Sequence, residues 1–163
     1  MRKEFGKVIV ELAKKDPKIV LIVSDFGYGI VEEFKKKFPN RYFNLGICEQ
    51  SIIGIASGMA LMGLKLYVYS ITPFLIERPF EQIKLDINQQ CVNVKLVGFA
   101  DYPLHGPTHS EINAEYMMKM FPNIKSYFPK SYEETRKALM LSYNYDGPAF
   151  ISLKRSAKNS LEL

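Results

Sequence analysis

The chain has 163 residues, 47% of them hydrophobic and 24% charged, the balance of a soluble globular domain long enough to bury a real core. Its formal net charge is +5, but the lysines come in short groups such as Lys14-Lys15 and Lys35-Lys36-Lys37, the latter close to Glu32 and Glu33; solvated helix faces account for them, so no nucleic acid partner is expected. No apolar run reaches the length of a membrane span, the opening MRKEFGKVIVEL is amphipathic rather than signal-like, and Cys48 and Cys91 form no C-x-x-C pair; a cytoplasmic protein with two reduced thiols and no membrane contact is expected.

Phe5, Val8, Ile9 and Leu12 repeat at helical spacing and predict an opening amphipathic helix, ended by Asp16-Pro17. The β-branched run IVLIVS, residues 19 to 24, has the pattern of a strand buried on both faces. A turn at Asp25 to Gly29 leads to a second helix marked by Ile30, Val31, Phe34 and Phe38, broken by Pro39-Asn40. RYFNLG is then a short extended piece. Residues 49 to 62 form an apolar helix stopped by Gly63, and LKLYVYSI, 64 to 71, reads as a strand. Pro79 belongs in the first turn of the next helix, where its missing N–H does no harm, with Phe80, Ile83 and Ile87 on the inner face.

VNVKLVGFA is another strand, followed by the loop DYPLHGPTHS, a helix around Ile112 to Met120 and a strand at Ile124 to Phe128. Ser131 with Glu134 three residues on predicts a capping box for the last helix. Asp146-Gly147-Pro148 turns the chain into a final strand, AFISL. Strands and helices alternate throughout, with no repeat and no linker. The expectation is one α/β domain over residues 1–163, a three-layer parallel sheet with helices on both faces.

Glu49 stands at the head of a segment with nothing charged from Gln50 to Leu64. An acid in the first turn of a helix is commonly no more than a favourable partner of the macrodipole. Here Ile52, Ile53, Ile55, Ala56, Met59, Ala60 and Met62 cover most of the helix circumference, while Gly54, Ser57 and Gly58 admit a second backbone. That pattern predicts burial nearly all round, at a subunit interface that would draw Glu49 in with it.

Both histidines, His105 and His109, fall in HGPTH. Their spacing would suit a metal pair on a helix, but Gly106-Pro107 opposes helix and no third ligand stands nearby, so no metal site is expected. A loop at the carboxyl end of a parallel strand is where open α/β sheets bind ligands, and histidine there serves hydrogen bonding or proton transfer. In PFLIERPFEQI, residues 73 to 83, Phe74 and Phe80 flank Arg78. Phe80 reads as core and Arg78 as surface, whereas Phe74 offers a ring face to a flat ligand. The chain carries no G-x-x-x-x-G-K-[ST], G-x-G-x-x-G or G-x-S-x-G motif.

RYFNLGICEQSIIGIASGMALMG at 41 to 63, SITPFLIERPFEQIKLDI at 70 to 87 and GPTHS at 106 to 110 resemble, in this order, the pyrimidine-binding (Pyr) domain of the transketolase family of thiamine-diphosphate enzymes. DGPAFISLKR at 146 to 155 is similar to the strand that closes that domain, and IVSDFGYG resembles its acidic turn more weakly. The resemblance implies the thiamine-diphosphate-binding Pyr fold. It implies that Glu49 contacts N1′ of the cofactor's aminopyrimidine and favours the tautomer that activates the thiazolium. Burial would let this carboxyl carry a proton near neutral pH. By the same transfer Phe74 stacks on the pyrimidine, Arg78 lies just beyond it in the pocket wall, and His109 faces the donor substrate.

His105 stands where many transketolases have aspartate, which leaves the preferred sugar open. Magnesium and diphosphate are expected on a separate diphosphate-binding (PP) subunit, because the chain lacks the segment that holds them. The implied protein is the small subunit of a split transketolase-like enzyme moving a two-carbon ketol unit between sugars, as a self-dimer or heterotetramer. A subunit of a deoxyxylulose-phosphate or other acyloin synthase, a scaffold Pyr domain without chemistry, and an unrelated flavodoxin-like binding module are the alternatives.

Overall fold

The computed structural model describes residues 1–100, 106–110 and 113–154. In chain order these form helix α1 (Arg2–Lys15), strand β1 (Ile19–Val23), helix α2 (Glu32–Lys37), strand β2 (Tyr42–Asn44), helix α3 (Glu49–Leu61), strand β3 (Lys65–Ile71) and helix α4 (Thr72–Ile76). Then come helix α5 (Phe80–Gln82), running on as a π-helix over Ile83–Gln89, strand β4 (Val94–Ala100), helix α6 (Ala114–Met118), strand β5 (Lys125–Tyr127), helix α7 (Tyr132–Asn144) and strand β6 (Ala149–Lys154). Short 3-10 turns occupy Pro39–Arg41 and Pro107–His109.

The six strands make one sheet in the order β2-β1-β3-β4-β6-β5, with every pairing parallel. Side chains alternate across it. Ile19, Leu21 and Val23 of β1 join Phe5, Ile9 and Leu12 of α1 and Leu139 of α7 in one core; Val20 and Ile22 join Ile52, Ile53 and Ala56 of α3 with Ile83, Ile87 and Phe121 in the other. Helices therefore cover both faces, giving the three layers that continuous apolar strands require.

Several boundaries depart from the sequence reading for local reasons. Helix α2 starts later than Ile30, because the amides of Ile30 and Val31 donate to the Gly27 carbonyl (2.9 and 3.2 Å) in a glycine turn. The serine half of the α7 capping box forms as predicted, Ser131 Oγ accepting from the Glu134 amide at 3.1 Å. The returning Glu134 carboxylate accepts from the amide of Lys130 (2.7 Å), one residue before the cap. Helix α6 is shorter than the span predicted around Ile112 to Met120: Asn113 caps it, and Met120 and Phe121 continue in i to i+3 turns. Ile112 lies outside the described residues.

Two cations, one partly buried and one fully buried, tie the layers together. Arg41 donates to the carbonyls of Ala13 and Asp16 at 3.0 Å, capping the carboxyl end of α1 where a positive charge is favoured. Lys95, on β4, is fully buried and donates to the carbonyls of Tyr145 (2.8 Å) and Gly147 in the α7–β6 connection. Burial pushes its amine down from 10.5 to about 7.

Candidate functional site

Glu49 is the first residue of α3, and only 6% of its surface is exposed. A carboxylate withdrawn from water needs partners, and the structure supplies two. Ser24, the residue after β1, donates from Oγ to Glu49 Oε1 at 2.8 Å, a bond buried at both ends. Arg78 donates from a single nitrogen, Nη1, to Oε1 and Oε2 at 3.3 and 3.2 Å, from a side chain that is 41% exposed.

The loops carrying these groups are clasped at the carboxyl ends of β1 and β2. Asp25 adopts a left-handed φ of 45°, uncommon for a residue with a side chain. Its amide donates to Asn44 Oδ1 (3.0 Å), while Asn44 Nδ2 returns a bond to Asp25 Oδ1 (3.3 Å). The same Asn44 oxygen accepts from the Gly46 amide at 3.1 Å. One side chain thus fixes both the turn that aims Ser24 and the loop that delivers Glu49.

Phe74 sits within α4, not in a loop ahead of the next helix. That helix follows β3 directly and lies close on the sheet: a Cβ built on Gly98 of β4 would stand 2.5 Å from Thr72 Oγ1. The Arg78 guanidinium carbon lies 3.7 Å from the centre of the Phe74 ring. The His109 ring meets Phe74 edge-on, with centroids 4.8 Å apart and planes at 66°. His109 Nδ1 lies 3.1 Å from Thr108 Oγ1. Phe80, partly buried, packs on Phe121 (5.0 Å) at the edge of the core rather than within it.

Glu49, Arg78, Phe74 and His109 therefore form one continuous row, although they come from three separate segments. They gather at the carboxyl ends of β1, β3 and β4, beside the point where the strand order reverses between β1 and β3. That is where parallel α/β sheets bind ligands. Arg78, read as a surface residue or a pocket wall, is 41% exposed and also links acid and ring. Ser24, Asp25 and Asn44 were missed. The weak resemblance of IVSDFGYG covers Ser24 and Asp25 but says nothing of their partners, because their contacts with the site arise from strand pairing. His105 lies outside the described residues.

Within a single copy of the chain, helix α3 is buried on one side only, so the burial expected for its other side would have to come from a neighbouring subunit. Ile52, Ile53, Ala56 and Ser57 pack inward, but Gly54 and Gly58 are exposed, and Ile55, Leu61 and Met62 stand 45%, 63% and 84% exposed. The apolar pattern exceeds what one copy of the sheet covers, and the excess forms an outward face. Among the described residues no helix is long and apolar enough to cross a membrane.

The family described as transketolase, pyrimidine binding domain, matches residues 1–159. An apulose-4-phosphate transketolase subunit of Actinobacillus succinogenes is 40% identical over 126 residues, covering 76% of this chain and 40% of that protein. The 1-deoxy-D-xylulose-5-phosphate synthase of Carboxydothermus hydrogenoformans is 34% identical over 164 residues, covering 98% of this chain and 26% of the synthase. Among solved structures, a split gene transketolase, described as an inactive beta4 tetramer, superposes with a TM-score of 0.85 at 32% identity, over 95% of this chain and 51% of that one. The chain thus spans about half or less of the length of these relatives.

Proposed function

The chain belongs to the transketolase pyrimidine-binding-domain family, and from that premise we propose that residues 1–163 act as a single Pyr unit of a split transketolase-like enzyme, transferring a two-carbon ketol unit between sugars or sugar phosphates. The observation that carries this reading is a buried carboxyl, Glu49, linked through Arg78 to an aromatic ring, Phe74, at the sheet's switch point. An aminopyrimidine needs a protonatable partner for its ring nitrogen and a flat face to stack on, and these residues fit both needs. When bound, thiamine diphosphate supplies the electron sink through which the carbon–carbon bond of the donor sugar is broken.

In this reading Glu49 shares a proton with the ring nitrogen. Ser24 holds Oε1 and leaves Oε2 for that proton. Phe74 stacks on the pyrimidine, Arg78 borders it, and His109 binds the donor and moves a proton near its reacting carbon. His105 contacts the sugar. A separate PP subunit holds the diphosphate and Mg2+. The outward face of α3 packs on a second copy of this chain within a heterotetramer; the tetramer named for its split-transketolase relative supports such self-association. The free cysteines Cys48 and Cys91 suit a reducing cytoplasm.

The test is to assemble the chain with candidate PP subunits and measure ketol transfer. Glu49→Gln is expected to lower turnover by about a hundredfold or more with assembly intact, the scale of general acid–base catalysis. Unchanged turnover would assign the chain to scaffolding. The 34% identity to a deoxyxylulose-phosphate synthase favours one second reading, tested by assaying the same assembly for formation of deoxyxylulose phosphate.

A further inference from the structure

Resting on that reading, we infer that Arg78 is a built-in competitor for the aminopyrimidine seat: its guanidinium takes both contacts that a pyrimidine needs, and the cofactor enters only as Arg78 swings out. A guanidinium is planar, delocalised and rich in N–H donors. Here it lies 3.7 Å from the centre of the Phe74 ring while Nη1 reaches both oxygens of Glu49. An aminopyrimidine stacked on the same ring and bonded to the same carboxyl would meet those atoms. The two arrangements exclude one another.

The geometry also marks Arg78 as the partner that leaves. One nitrogen serves two long contacts, 3.2 and 3.3 Å, and the side chain is 41% exposed, so it has a route to solvent. The Ser24 bond is shorter, 2.8 Å, and buried. Glu49 therefore has one fixed partner and one exchangeable partner. The fixed one keeps the carboxyl aimed while the other is replaced. Until then Arg78 compensates a carboxylate that would otherwise sit buried and unpaired. The arrangement makes affinity for the ring depend on the fraction of molecules in which the arginine stands aside.

The probe is thiamine, titrated by calorimetry into the chain assembled with its PP subunit and into the same assembly carrying Arg78→Ala. If the guanidinium covers the seat in about nine molecules of ten, its removal tightens binding about tenfold. Arg78→Lys, which keeps the charge but not the planar face, is expected to fall between the two. An NMR readout is independent of affinity: the Arg78 side-chain protons are expected upfield, shielded by the Phe74 ring, and to move toward ordinary values as thiamine is added. Equal or weaker binding by Arg78→Ala, or shielding that persists at saturation, overturns the competitor role and leaves the site assignment standing. Failure of both assemblies to bind thiamine overturns the seat itself.

Discussion

Glu49 owes its orientation to a serine 25 positions earlier in the chain. Ser24 is a positioning residue, acting through the carboxylate it holds. Ser24→Ala is expected to cost about 1 kcal/mol in urea unfolding, the worth of one buried hydrogen bond. In the assembled enzyme it is expected to lower kcat by less than Glu49→Gln does, with recovery in Ser24→Thr, which keeps the donor. A kcat at the Glu49→Gln level would show that Ser24 does more than hold the acid. At this scale the sequence exposed the chemistry but not its wiring. A lone carboxylate ahead of an apolar run is visible by contrast, as are two histidines in one loop. Ser24 and Asn44 look ordinary, since their importance comes only from β1 lying beside β2.

Elements were more legible than side-chain partners. The β-branched run of β1, the apolar run of α3 and the Ser131 cap all show themselves within a few residues, because periodicity and capping are local. Helix α4 was missed: five residues with a proline in the first turn leave too short a pattern to distinguish from a loop. The π-helical stretch after α5 was missed too, since its register is set by packing rather than composition. Lys95 was the least expected. It reads as one polar position in a strand, yet it spans from the sheet to the α7–β6 connection with its amine out of water.

That burial gives a pH dependence with a definite sign. Unfolded, the amine keeps its proton up to about 10.5; folded, it releases it near 7. Between those values the unfolded chain binds more protons, so stability rises with pH, at most by about 1.4 kcal/mol per unit for one group. Below pH 7 both forms are charged and the dependence from this group vanishes. Urea midpoints measured from about pH 7 to 9 are expected to climb, and Lys95→Met is expected to flatten the climb. An unchanged slope in Lys95→Met would show that the dependence arises elsewhere.

For the whole molecule, the alternation of strands and helices pointed to the parallel sheet and its two covered faces. The strand order needed the structure, because it is set by how crossovers pack rather than by any single segment. The apolar wrap of α3 was visible in the sequence, but which side one copy leaves open was not. Ile55→Asp places a charge on that open side, away from Glu49's partners, and is expected to shift the chain to a smaller species in sedimentation while its circular dichroism is unchanged. The same sedimentation profile as the parent would move the self-association surface to another face.

Beneath α4, strand β4 presents Gly98, and a single carbon added there would collide with Thr72. The height of the Phe74 platform above the sheet is therefore set by a close approach to bare main chain, with no adjustable packing between. Such a joint has no slack: it transmits any shift of the strand directly to the ring. Any side chain at position 98 would have to push Thr72, and with it the aromatic platform, away from the strand.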